Sequence, residues 1–460
     1  MPVTTKRKTK TRASKMTYCW GASKTEGNAT QKELLGGKGA NLAEMTTVGL
    51  PVPPGFTIPT TMCEAYYDQG KRLPRGLDAA ISKAIRRVEK ETGKKFGSNT
   101  DPLLVSVRSG AAISMPGMMD TVLNLGLTDD AVQGLIELTG NERFVWDAYR
   151  RLINMFGDVV MGMSHEVFEH EFDSVKKKHG VALDTELSAE GLKEVCVRYK
   201  KVYKKHVGNN FPQDPHKQLL LSVESVFQSW NADRAKTYRQ IEGIVGLKGT
   251  AVNVQAMVFG NMGKDSGTGV AFTRNPSTGE DKFFGEFLID AQGEDVVAGI
   301  RTPKPVSQMK QWNSKIYREL LQNKKILEKH YRDIQDIEFT IERGKLWMLQ
   351  TRNGKRTAAA AVKIAVDMVK SRLINRDEAL LRVPAGDLVQ LLLPSFTTKS
   401  KQQVKRLAKG LPASPGAATG ALAFTAEEAV ARAEAGEDVL LVRKETSPED
   451  IDGMQHAVGI

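Results

Sequence analysis

Apolar and polar positions along this chain follow two different periods, and the switch between them divides it into regions. From Leu77 to Thr92 the apolar residues Ala80, Ile81, Ala84, Ile85 and Val88 recur three or four apart, which predicts an amphipathic helix. Residues 129–245 read as predominantly helical. A long candidate among them runs from His216 to Tyr238, with Leu219, Leu220, Val223, Val226, Phe227 and Trp230 as a core stripe. From Ala251 the period drops to two: Val252, Val254, Ala256 and Val258 alternate with Asn253, Gln255 and Met257, and glycine-rich turns follow between Gly260 and Gly269.

A second period-two stretch, Ile334–Ile341, is followed by Glu342-Arg343-Gly344-Lys345 and then Leu346–Arg352, which predicts two strands around a glycine-containing turn. Alternation puts Asp336, Glu338 and Thr340 on one face and Ile337, Phe339 and Ile341 on the other, while Met348, Gln350 and Arg352 share a parity on the returning strand. Ala358–Val369 is an alanine-rich helix, and Leu103–Val107 is a short β-like apolar run. Helices and strands in this mixture predict the α/β (α+β) class. A length of 460 residues, at roughly 150 per domain, predicts about three compact units.

Composition describes an ordinary globular protein, with 40% hydrophobic and 26% charged residues. No apolar run approaches the roughly 18 to 20 residues of a membrane span. Three widely spaced cysteines, Cys19, Cys63 and Cys196, give no disulfide or metal framework and predict reduced thiols in the cytoplasm. Half of the net charge of +12 sits in residues 1–15, which hold Lys6, Arg7, Lys8, Lys10, Arg12 and Lys15 and no acid. This tail reads as a solvated, disordered extension, with an organelle transit peptide or a nucleic-acid arm as alternatives. No interleaved basic-aromatic motif points to nucleic acid.

Two segments carry candidate phosphate chemistry. In Val105–Thr121, Arg108 follows the apolar run, and a loop of small residues and glycines with three methionines comes next. Glycine and serine leave room for backbone N–H groups to approach a polyphosphate, and Arg108 supplies a cationic fork. In Leu34-Leu-Gly-Gly-Lys-Gly-Ala-Asn-Leu-Ala-Glu-Met45, a glycine loop reads as entering a helix with Lys38 at its entrance, an anion site by position; the Walker A spacing is missing. On the hairpin, Asp336 and Glu338 point the same way and suit a hard cation. Read singly, each segment has a plain alternative: a methionine-packed turn, a solvated glycine turn, and a half-exposed hairpin.

In order, these segments resemble the pyruvate phosphate dikinase family, specifically its N-terminal ATP-grasp nucleotide-binding domain. Pro51-Val-Pro-Pro-Gly-Phe56, Gly267–Gly279, Gly285-Glu-Phe-Leu288 and Ala291–Gly299 extend the resemblance. The Ser114-Met-Pro-Gly-Met-Met-Asp-Thr121 run separates it from the related phosphoenolpyruvate synthases, whose loop is more acidic. The resemblance implies that Lys38 and Arg108 hold ATP phosphates, with Ser114 and Gly117 in the same loop. Asp336 and Glu338 become the Mg²⁺ carboxylates, Gln350 and Arg352 contact the transferring phosphates, and Glu286 and Gln292 lie in the nucleotide cleft. Family members often carry a base where this chain has Ala112.

It also implies a two-lobed domain over residues 16–357, closed by the helical part 129–245, then a helical linker over 358–409. Residues 410–460 would be the start of a β/α swivel domain whose carrier histidine lies in a Gly-Gly-x-x-Ser-His segment absent before Ile460. His456 lacks that context and is not expected to carry phosphate. The whole family reaction converts ATP, phosphate and pyruvate to AMP, diphosphate and phosphoenolpyruvate. On this reading the chain binds Mg·ATP, reaches pyruvate only through a missing domain, and leaves a homodimer open for the complete enzyme. A phosphoenolpyruvate synthase-like enzyme and a non-catalytic nucleotide-binding remnant are the alternatives. An incomplete swivel segment is expected to expose Val439–Val442.

Overall fold

Two five-stranded sheets organise the chain. The computed structural model describes residues 15–460 except 116, 298–300, 393–395, 409, 411–415 and 448–449. The basic tail up to residue 14, the end of the Ala291–Gly299 motif and the Leu411–Pro415 run therefore lie outside the described residues. The strands are β1 (Tyr18–Trp20), β2 (Gly55–Ile58), β3 (Lys95–Phe96), β4 (Pro102–Leu103), β5 (Val105–Gly110), β6 (Thr121–Leu125) and β7 (Ala251–Ala256), then β8 (Gly267–Phe272), β9 (Phe284–Ile289), β10 (Lys304–Pro305), β11 (Gln335–Glu342), β12 (Lys345–Asn353), β13 (Ala421–Ala423) and β14 (Val439–Leu441). The first sheet has the order β1-β2-β7-β5-β6, and the second the order β10-β9-β8-β11-β12. The residues cluster into two units: one holds residues up to Thr268 with Ile289–Gln292 and Phe339–Thr351, the other holds the remainder.

In the five-stranded sheet of the first unit the pairings are antiparallel, with β7 between β2 and β5, while the short β3 and β4 pair in parallel apart from it. All six residues of β7 are buried, including Asn253 and Gln255, so the polar parity of this strand faces packed protein rather than water. Helix Leu77–Thr92 forms as its stripe predicts, burying Ile81, Ala84, Ile85 and Val88, and it stops at Gly93 in the left-handed conformation. Residues 129–245 are mostly helical, with a π turn at Phe156–Val160 and a 3-10 turn at Asp184–Glu186. The candidate helix His216–Tyr238 is instead two, Pro215–Ser229 and Asp233–Ile241. Its stripe is core as expected, since Leu219, Val223, Val226 and Phe227 are fully buried. Arg239 closes the break: its guanidinium stacks 4.0 Å from the Trp230 ring centroid and donates to the Trp230 carbonyl at 2.7 Å. The three cysteines are free, buried and all in this unit.

In the second unit, helix Ala358–Lys370 packs Ala360, Ile364 and Met368 against Ile334 and Ile374. Farther along, β13 and β14 pair in parallel across helix Ala426–Glu434, a small βαβ unit. Here the structure corrects the expectation of exposed Val439–Val442. Val439 and Leu441 are fully buried against Ala423 and Ala429, and only Val442 is substantially exposed, at 42%. Small alanines let the helix approach closely enough to cover a strand of three residues. No helix of the described residues is long and apolar enough to cross a membrane.

Candidate functional site

The lysine segment departs from the loop-into-helix expectation. A helical span already runs from Lys32 to Thr47 and is interrupted inside, at Gly36, whose φ is 68° and ψ 161°. A Cβ on Gly36 would stand 1.8 Å from the Gly110 carbonyl oxygen, so only glycine fits there. Gly37 N–H donates to the Ala111 carbonyl at 2.8 Å. Gly39 is pressed as hard: its Cβ would lie 2.5 Å from Thr57 Oγ1 and 2.6 Å from Asn253 Oδ1. These contacts bring half-buried Lys38 to the end of β5, with its Cβ 3.6 Å from where a Gly110 Cβ would be.

Arg108 lies within β5 rather than after it, opposite Thr121 of β6 and Asn253 of β7. Asn253 organises this corner. Its Oδ1 accepts from the Thr57 hydroxyl at 2.8 Å and its Nδ2 donates to the Arg108 carbonyl at 3.5 Å. In the loop that follows, Met115 and Met118 are buried in the core, while Ile113, Ser114 and Gly117 are exposed. The methionines therefore anchor the loop, and the small residues between them stay open to solvent. The packed turn is thus made by the methionines, and it leaves Ser114 and Gly117 accessible.

On the hairpin the parity expected from alternation is observed: Asp336 and Glu338 are half-buried, and Ile337, Phe339 and Ile341 are fully buried. Arg343 and Gly344 both have positive φ, the two-residue turn that suits the twist of a hairpin. Arg352 Nε donates to Asp336 Oδ2 at 2.5 Å, and its Nη2 stands 4.0 Å from Glu338 Oε1. Burial pushes the Asp336 carboxyl up from its ordinary range, with Glu338 adding to the push and Arg352 opposing it. Two buried-leaning carboxylates that together hold one cation fit a hard ion sharing its remaining positions with phosphate oxygens and water. Among the described residues no group of three or more His, Cys, Asp or Glu converges, so this pair stands without a third protein carboxylate.

Gln350 is buried in the first unit, and the neighbouring Thr351 carbonyl accepts from Asn41 Nδ2 at 2.9 Å. That bond ties β12 to the helix carrying Lys38. Gln292, also in the first unit, is buried and donates to Asn261 Oδ1 at 3.3 Å. Glu286 is an exposed residue of β9 in the second unit, opposite Pro305. Thus Lys38, Arg108, Ser114, Gly117, Gln292 and Gln350 belong to the first unit, and Glu286, Asp336, Glu338 and Arg352 to the second. His456 is exposed, with Nδ1 2.7 Å from the Asp452 carbonyl, an ordinary helix-end contact. Asn41 and Asn253 were not singled out from the sequence. The signal for Asn253 was present: it alternates, with Gln255, against the valines of a strand whose six residues are all buried.

A lysine and an arginine set by glycine contacts beside a buried sheet, and a carboxylate pair on a hairpin, are parts of a mixed α/β protein of the ATP-grasp type. Residues 32–80, 71–326 and 304–373 match the family described as pyruvate phosphate dikinase, AMP/ATP-binding domain. The chain is 56% identical over 448 residues to "Pyruvate, phosphate dikinase, chloroplastic" of Mesembryanthemum crystallinum, covering 97% of this chain and 47% of that protein. It is similar to "Pyruvate, phosphate dikinase 1, chloroplastic" of Arabidopsis thaliana (56% identity, 97% and 46% covered) and "Pyruvate, phosphate dikinase 2" of Zea mays (55%, 98% and 51%). The chain belongs to the pyruvate phosphate dikinase family, and it spans about half the length of the curated relatives it matches.

Proposed function

We propose that this chain is the Mg·ATP-binding part of a pyruvate phosphate dikinase, and that it offers the nucleotide to a phosphoryl-accepting histidine elsewhere in the full-length protein. Lys38 and Arg108 neutralise phosphate oxygens, and the exposed Ser114 and Gly117 contribute small, donor-rich backbone. Gln350 and Arg352 orient the phosphates to be transferred, while Glu286 and Gln292 contact the rest of the nucleotide. Asp336 and Glu338 would hold Mg²⁺, which when bound screens the charge on the phosphate oxygens. Phosphoryl transfer asks for little covalent help, so positioning and charge carry the chemistry. The parent reaction takes ATP, phosphate and pyruvate to AMP, diphosphate and phosphoenolpyruvate.

One observation carries this reading: glycine contacts that tolerate no Cβ set Lys38 beside the strand end that bears Arg108. A solvated glycine turn has no need of such contacts. Isothermal titration of Mg·ATP is the test, with binding expected for wild type and lost in Arg108→Ala and Asp336→Ala. Absence of binding by a folded wild-type chain would refute the reading. We place the protein in the cytoplasm, with organelle import as the alternative that the basic tail and the chloroplastic names of relatives support; fractionation of the native protein separates the two.

A further inference from the structure

The second half of the phosphate loop is held by a residue more than a hundred positions away. Arg234, on helix Asp233–Ile241, donates from Nη2 to Asp120 Oδ1 at 2.5 Å and from Nε to the Met118 carbonyl at 3.3 Å. One guanidinium therefore grips a backbone and a side-chain oxygen of the same loop strand, the two-point contact for which its planar fork is suited. The rest of the stitching comes from the preceding helix, where Ser229 Oγ accepts from Asp120 N–H at 3.4 Å. Helix Asp233–Ile241 is itself fixed to that helix through Arg239 and Trp230.

The partners differ in burial: the Asp120 side chain is 14% exposed and that of Arg234 is 55% exposed. An ion pair so open on one side contributes little to global stability. What it can decide is local. Met115 and Met118 anchor side chains of the loop, yet Gly117 between them, with φ 72°, has no side chain to restrain it. At its far end the loop is held by Arg234, by the single bond from Asp120 N–H to Ser229 and by the β6 ladder.

We propose that Arg234 is a positioning residue of the nucleotide site, a latch that holds Met118 and Asp120 so that exposed Ser114 and Gly117 stay in register with Arg108. The inference rests on the nucleotide reading above and deepens it: it assigns the order of the loop to the helical part of the first unit. Unlatching lowers the fraction of molecules with a binding-competent loop, and apparent affinity falls by that fraction.

The test compares wild type, Arg234→Ala, Arg234→Lys and Asp120→Asn, titrated with Mg·ATP and with adenosine, alongside hydrogen exchange of residues 117–121. Arg234→Ala is expected to weaken Mg·ATP binding about tenfold, to leave adenosine binding unchanged, and to speed exchange at 117–121 but not in helix Glu142–Met155. Asp120→Asn should resemble it, and Arg234→Lys should fall between it and wild type, because one charge is kept without the fork. Equal loss for ATP and adenosine, or no loss for either, overturns the latch. Should wild type fail to bind ATP, the nucleotide reading falls, and exchange alone then decides: unchanged exchange at 117–121 in Arg234→Ala overturns the latch as well.

Discussion

The corner of Lys38 and Arg108 in the first unit and the carboxylate pair of the second are made precise by opposite means. Around Lys38 and Arg108, position comes from side chains that are missing: Gly36 lets its backbone meet that of Gly110, and Gly39 and Gly110 leave room for the Thr57 and Asn253 side chains where a Cβ would collide. Around Asp336, position comes from charge, because Arg352 lies against one carboxylate and near the other. Steric exclusion is indifferent to salt and metal, whereas an ion pair is exchangeable. The first corner is therefore fixed by packing alone, and the second by an ion pair that salt weakens.

The largest expected effect is steric. Gly36→Ala places a methyl group into the Gly110 carbonyl at a positive φ, and should cost about 3 kcal/mol or more of stability. Denaturant unfolding measures it, and a variant as stable as wild type would break the close-contact side of the comparison. Next, Arg108→Ala should weaken Mg·ATP binding by about 2 to 3 kcal/mol, the scale of charged hydrogen bonds, at unchanged melting temperature.

Asp336→Ala is the sharper case because its sign depends on metal. In Mg²⁺ it should bind ATP poorly. In excess EDTA it should bind ATP more tightly than wild type, by roughly two- to fivefold, since the guanidinium of Arg352 loses the nearer of its two carboxylates. Equal affinities in EDTA would show that the ion pair does not compete with phosphate. The smallest change is expected for Glu286→Ala, whose exposed side chain should alter stability by less than about 0.5 kcal/mol; a larger loss would reveal packing around this residue.

The two halves were also unequally legible in the sequence. Alternation alone gave the hairpin, its faces and the shared side of Asp336 and Glu338, because period two is a local property of a strand. Glycine spacing marked the lysine segment but misdrew it: Leu34 and Leu35 already belong to a helix, and nothing local says that Gly36 breaks it to meet Gly110. The stripe from Leu219 to Trp230 was correctly read as core, yet it ran on through a break fixed by Arg239 and Trp230. Burial of Val439 and Leu441 was missed because it depends on alanines of a neighbouring helix. Least legible was the hold of Arg234 on Asp120, a contact that exists only once the helical region has folded back on the sheet.

Burial of the cysteines has a practical consequence. Removal from water pushes the Cys63 thiol up to about 11 and raises Cys19 and Cys196 as well, although Arg87 and Lys15 pull Cys19 the other way. A thiol reagent at mild alkaline pH meets almost no thiolate in the native protein, and each sulfur becomes reactive only when its surroundings open. The chain thus carries three native clocks of unfolding. Cys63 sits against the carbonyl of Phe227, Cys196 against that of Trp146, and Cys19 lies on the edge strand of the first sheet. The order in which they are labelled would give the order in which the first unit comes apart, with no probe added by mutation.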